Sequence, residues 1–164
     1  VSHVTTLFRS LQTVINGEIA PLEVVRRYMP LKDGTELDEL QISLYLDTSD
    51  QEILGRGAVI RDLVTFGIAI QKNIPGNRDT DDNGDPVLQG NDDRSACDEV
   101  LDIAEQLKDL WRCAKDGTEG PLFAQSIEGF TFTEMNQDFL YEPLHMALQG
   151  VFSSVFEVTY ARGS

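Results

Sequence analysis

The residues able to do chemistry are few and thinly spread. The histidines are His3 and His145. His3 stands at a frayed end of the chain and reads as solvated. Glu142-x-x-His145 has the spacing of half a carboxylate-bridged di-iron motif, but such a site takes two copies on facing helices. One copy occurs, with Pro143 inside it, so the spacing reads as coincidence. Cys97 and Cys113 lie sixteen positions apart. Read as parts of one helix, their backbones stand about 24 Å apart, which excludes a disulfide between them. Neither has a histidine near it in sequence. Both read as core or boundary thiols rather than nucleophiles.

Asp79-x-Asp81-x-Asn83-Gly84 has the alternate oxygen donors and the turn glycine with which a calcium loop begins. The twelfth position, where a bidentate glutamate belongs, is Gly90. A strand, not a helix, is expected before the loop. The stretch 75–94, with Asp79, Asp81 and Asp82 at its centre, therefore reads first as a long solvated acidic loop. A weak calcium site completed by Asp85, Asp92 or Asp93 is the second reading. The glycines form neither a dinucleotide fingerprint nor a P-loop, and Gly55-Arg56-Gly57 reads as a bulge or turn. No acid–base pair, nucleophile arrangement or metal cluster emerges. The expectation is no enzyme and no cofactor, but a protein that works by contact. An enzyme assembled from distant segments is the weakest alternative. Arg26, Arg27, Arg56 and Arg61 are a modest basic set around the early strands. They read either as ordinary surface charge or as contacts to acidic patches on a neighbouring copy.

Composition bounds the classes. The chain has 164 residues, with 13 basic against 28 acidic side chains and a net charge of −15. A duplex-DNA reader needs a basic footprint to displace counterions, and anionic lipid needs the same. The 41% hydrophobic share is that of an ordinary globular domain. No apolar run is long enough for a transmembrane helix. The start of the chain lacks the basic stretch and apolar block of a signal peptide. A soluble, intracellular, single-domain protein over 1–164 is expected.

The elements that must position these residues follow from periodicity. Val4, Leu7, Phe8, Leu11, Val14 and Ile15 mark one helical stripe, with Ser2 as cap and Gly17 as stop. The segment between Pro21 and Pro30 is β-prone but confined to an edge or loop. Leu40 to Leu46 alternates as a strand, Asp47 to Asp50 reads as a turn, and Ile53 to Ile60 as a further strand. Val64, Phe66, Ile68 and Ile70 alternate with small or apolar residues, so this strand is placed at the sheet centre, covered on both faces. Ser95 caps a second helix whose stripe runs Val100, Ile103, Ala104, Leu107, Leu110, Trp111 and Ala114, ending at Gly117. Ile127 to Thr133 and Phe152 to Tyr160 read as strands, and Phe139 to Pro143 as a connector. Leu144 to Gln149 fits a strand or one helical turn. The fold class expected is α/β of the α+β type: a mixed, largely antiparallel sheet with two main helices packed on one face. Its other face needs cover from loops or another subunit. Trp111, Phe66, Phe130 and Phe156 are assigned to packing.

Tyr141-Glu142-Pro143-Leu144, followed by Val151-Phe152-Ser153-Ser154-Val155-Phe156-Glu157-Val158-Thr159-Tyr160, resembles the end of bacteriophage tail terminator proteins. Arg61-Asp62 with Phe66-Gly67-Ile68-Ala69-Ile70-Gln71-Lys72 is similar to a strand of the same head–tail completion family. The resemblance implies a ring-forming subunit, a hexamer, that caps the phage tail tube and ends its polymerisation. It implies a structural virion protein of the tail or neck, assembled in the host cytoplasm. Its partners would be other copies of itself, the tail tube protein and the head-side connector or neck protein. Genomic DNA would pass through the lumen without sequence-specific binding, and no membrane is involved. Six copies at −15 each carry −90, which would repel the DNA backbone. Another neck or tail-completion protein of the same fold is the neighbouring alternative, and a small calcium-tuned binding module the more distant one. The expected interface residues are Arg26 and Arg27, the Gly55–Arg61 hairpin with Arg56 and Arg61, and the loop with Asp79, Asp81 and Asp82.

Overall fold

The computed structural model describes residues 2–28, 40–55, 59–73, 82–83, 90–139 and 151–163. Helix α1 covers His3–Ile19. The Ser2 hydroxyl accepts from the Thr5 amide at 3.1 Å, the cap expected. The helix does not stop at Gly17. Ile19 is buried, and its burial offsets the roughly 1 kcal/mol a helical glycine costs relative to alanine. The chain leaves the helix only at Ala20, before Pro21.

Among the described residues, six strands form one sheet, in the order β1-β2-β3-β6-β5-β4. These are β1 (Val24–Arg27), β2 (Gln41–Leu54), β3 (Val59–Asn73), β4 (Ser126–Ile127), β5 (Phe130–Phe139) and β6 (Val151–Gly163). Strand β1 runs parallel to β2, and every other pairing is antiparallel. The sheet is therefore mixed and mostly antiparallel, with β3 and β6 at its centre and β1 at an edge.

Two strand readings are corrected. Asp47 to Asp50 is not a turn: β2 continues through it, with a bulge at Asp47 between Leu46 and Thr48. Residues 47–51 are all exposed, so no dry face imposes alternation on them. The reversal comes at Gly55, in the left-handed region at φ 85°. Ile53 to Ile60 is thus the end of β2 and the start of β3, not a strand of its own. Likewise Ile127 to Thr133 is a hairpin. Glu128 and Gly129 both have positive φ, 53° and 81°, and Ile127 pairs with Phe130 across them. Two left-handed central residues give a turn whose twist matches that of the strands.

Helix α2 spans Gly90–Lys108, starting well before Ser95, and passes into a 3-10 turn over Asp109–Trp111. The expected loop over 75–94 is therefore shorter at its end: residues 90–94 belong to the helix. The helical path ends with Trp111, not at Gly117, because Leu122 N donates to Leu110 O at 2.8 Å and the chain folds back on itself. Cys97 and Cys113 consequently do not share a helix. Cys97 is buried, Cys113 is exposed beyond the 3-10 turn, and both are free thiols.

Both helices lie on one face of the sheet. Leu7, Phe8, Leu11 and Ile15 of α1 and Val100, Ala104 and Leu107 of α2 join Phe66, Ile68, Phe156 and Tyr160 in one core. Phe8 meets Phe66 at 5.2 Å and Trp111 meets Phe156 at 6.1 Å between ring centroids. The Trp111 indole donates to the Tyr160 hydroxyl at 2.8 Å inside that core. Phe66, Phe130, Phe156 and Trp111 are all packing residues, as expected.

The second face is not bare. Ser43, Tyr45, Gly67, Ala69, Gln71, Ser153 and Val155 are buried within the single chain. The same face also carries Leu63 and Ala161, and the Thr65 and Thr159 hydroxyls hydrogen-bond on it at 3.1 Å. A shortage of cover on this face is thus no argument for a neighbour.

Candidate interaction surfaces

The four arginines do not form one patch. Arg26 and Arg27 are neighbours on the edge strand β1. Arg61 lies on β3 and donates to the Glu52 carboxylate of β2 at 3.0 and 2.6 Å, so it is paired within the chain. Arg27 stands level with Tyr45 and Arg61 level with Glu52, which separates them along β2 by roughly 23 Å. Asp82 is exposed in a turn with Asn83. Arg56, Asp79, Asp81 and the Glu142-x-x-His145 spacing lie outside the described residues. Among the described residues, no group of His, Cys, Asp or Glu is arranged to hold a metal ion.

At the β1 edge the backbone is partly closed by α1. Val24 N donates to Asn16 Oδ1 at 2.7 Å, and Gln12 Nε2 donates to Val24 O at 3.3 Å. These bonds close the backbone at Val24; beyond it Arg26 stands level with Leu44 on the helix-covered face and Arg27 level with Tyr45 on the second face. The Arg26 guanidinium lies over the Phe8 ring, 5.1 Å from its centroid. Arg26 Nη1 and Arg27 Nε are buried without a hydrogen-bond acceptor. Neither arginine pairs with a carboxylate among the described residues. Val25 and Tyr28 beside them are 40% and 68% exposed, an apolar and aromatic flank to two cations.

The opposite side of the sheet is acidic. Strand β4 pairs only with Phe130 and Thr131. Beyond Thr131 the outer side of β5 has no strand partner among the described residues. Glu134 and Asp138 are exposed along it, and bulges at Thr133 and Asp138 break its regularity. Sequence reading ended this strand at Thr133 and passed over both acids. The run Glu134-Met135-Asn136-Gln137-Asp138 carries too little apolar alternation to signal an edge strand.

A carboxylate cluster occupies the second face. Tyr45, Gly67 and Glu157 stand abreast on β2, β3 and β6. A Cβ on Gly67 would fall inside the Tyr45 ring, so the missing side chain is what lets groups from β2 and β6 meet across β3. Burial, a hydrogen bond that the protonated carboxyl donates to Asp47, and the charges of Asp47 and Asp138 push Glu157 up to about 7. Burial first, then the charges of Asp47, Glu157 and Asp138, push the Tyr45 phenol far up as well. Burial and the neighbouring acidic charges thus keep the Glu157 carboxyl protonated to higher pH than an ordinary carboxylate. Both aspartates sit at bulges, which sequence periodicity does not announce.

One further cation is unusual. Lys108, at the end of α2, is buried, donates to Gln137 and lies 5.9 Å from the Phe156 ring centroid. Burial lowers its pKa, and Glu105 at 3.9 Å opposes that shift. A groove of about 390 Å³ gathers His3, Asp50, Asp62 and Arg162. His3 there faces Glu128 at 3.6 Å, and Ser49 lines the groove beside it. No protein-family model matches the chain, and no curated protein matches it.

Proposed function

We propose that the chain is a structural subunit of a bacteriophage tail: a tail terminator that caps the tail tube, ends its polymerisation and joins the tail to the head-side connector. It acts as a homo-oligomeric ring, a hexamer in this reading, in the tail or neck of the virion, and is assembled in the host cytoplasm. It breaks no bonds and takes no cofactor. The observation that carries the reading is the placement of the two segments similar to that family. They are β3 and β6, paired antiparallel over residues 61–73 and 151–163 as the central strands of the sheet. Tyr141-Glu142-Pro143-Leu144 lies outside the described residues; the other matched segments are neighbours in the sheet. A mixed sheet packed with helices agrees with the mixed α/β subunit that the resemblance implies.

The test is electron microscopy of the purified protein, alone and with growing tail tubes. A ring seated on the tube end, with elongation arrested, is expected. Tubes that keep growing at saturating protein would overturn the assignment. Untouched tubes with binding to the head-side connector would move the protein to another neck role on the same fold.

A further inference from the structure

We propose that copies of this chain join head to tail, with Arg26 and Arg27 on the β1 edge of one copy docking on the outer β5 edge, at Glu134 and Asp138, of the next. The inference deepens the assembly reading above and rests on it for the kind of partner, a second copy of the same chain.

Cations are scarce in a chain with 13 basic and 28 acidic residues. Several are committed internally: Arg61 to Glu52, Lys72 to Glu99, Arg112 to Glu105, and Arg162 over the Phe130 ring. Arg26 lies over the Phe8 ring, but neither it nor Arg27 meets a carboxylate among the described residues, and each holds a nitrogen with no acceptor. An unsatisfied buried donor is costly, and a charge-assisted bond to a carboxylate is among the stronger ways to satisfy it. Both side chains are only half-buried, so swinging outward to a carboxylate gives each nitrogen the acceptor it lacks. Exposed Tyr28 beside them adds the aromatic that, with arginine, is enriched at the centre of protein interfaces.

The counter-surface lies at the far side of the same sheet. The acids and bulges of β5 deter indiscriminate strand addition, which is how open edges are commonly protected. The same acids attract guanidinium groups. Because α1 already closes the backbone at Val24, the contact is made by side chains and not by extending the ladder. Charge decides the symmetry. A two-fold contact through either edge alone would set arginines on arginines or acids on acids, whereas a head-to-tail contact sets one on the other. Head-to-tail contacts close into rings when the rotation permits.

Charge reversal with sedimentation velocity tests this at the highest concentration the protein tolerates. The wild-type chain is expected to form a fast-sedimenting species. Arg26→Glu/Arg27→Glu and Glu134→Lys/Asp138→Lys are each expected to lose it. Mixing the two variants, or combining all four substitutions in one chain, is expected to restore it, because each reversed edge then meets a complementary one. Thermal melts check that each variant folds, and Arg26→Gln/Arg27→Gln serves where a reversal does not. A monomeric wild-type chain overturns the inference. So does a reversed single edge that assembles like wild type, or a folded mixture that fails to assemble. Tube capping is scored separately. Assembly through these edges without capping leaves the contact standing and removes the tail role; capping by rings indifferent to charge reversal does the opposite.

Discussion

Glu157 shows how much one backbone choice decides. With no Cβ at Gly67, the Tyr45 ring lies across β3, and Asp47 bonds to Glu157 over the same gap. The carboxyl of Glu157 is pushed from 4.5 to about 7 by burial, by that bond and by the charges of Asp47 and Asp138. A carboxyl raised in the folded state favours folding most while protonated. Its contribution is complete below about pH 4.5 and is lost as pH rises through about 7. The melting temperature should therefore fall between mildly acidic and mildly alkaline buffer. Glu157→Gln should flatten that slope and raise stability on the alkaline side, by on the order of 1 kcal/mol once solvent screening at this part-exposed site is allowed for. Melts of both proteins across that range check it; equal slopes would remove Glu157 as the cause. None of this was legible in the sequence. Period-two reading places Glu157 and Tyr45 on strands, but two bulges deliver the aspartates, and a bulge shifts register without any mark in the hydrophobic pattern.

Among the elements, what was legible is what has one wet and one dry face. Helix α1, the helix through Val100 to Leu107, and the central strand from Val64 to Ile70 all bury a single stripe or alternate set, so periodicity found them. Where both faces are wet, as along Asp47 to Gln51, the pattern vanishes and a strand passes for a turn. The end of α2 was misread for another reason: it is set by tertiary contact. Trp111 is anchored by its hydrogen bond to Tyr160, so the helix must tighten and leave there rather than run on to Gly117. Tyr160→Phe removes that acceptor and strands the buried indole N–H. A loss of about 1–3 kcal/mol is expected from denaturant melts. The Glu128-Gly129 hairpin was missed because glutamate is a poor residue for positive φ. Glu128→Asn should relieve that strain. It forfeits only the exposed contact with His3, so a gain of a few tenths of a kcal/mol is expected from the same measurement.

At the scale of the whole molecule, charge both opposes and directs assembly. Each copy carries −15, so a ring of six carries −90, and duplex DNA should not be retained by it even at low salt. A gel-shift assay tests this directly, and retardation would show a basic lumen instead. Copies of such a protein also repel one another at long range, while Arg26 and Arg27 attract Glu134 and Asp138 at contact. The two effects respond to salt over different distances. The Debye length is about 30 Å at 0.01 M and about 10 Å at 0.1 M, so modest salt removes the diffuse repulsion first. Ion pairs at contact distance are shorter than either length and yield only as salt approaches about 1 M, where the screening length is about 3 Å. Self-association followed by sedimentation should therefore rise from very low salt to moderate salt and then fall. A steady rise to the highest salt would mark an apolar interface with no part for the arginines. A steady fall would mean that contact pairing dominates at every ionic strength and that the −15 of each copy is held away from its neighbours.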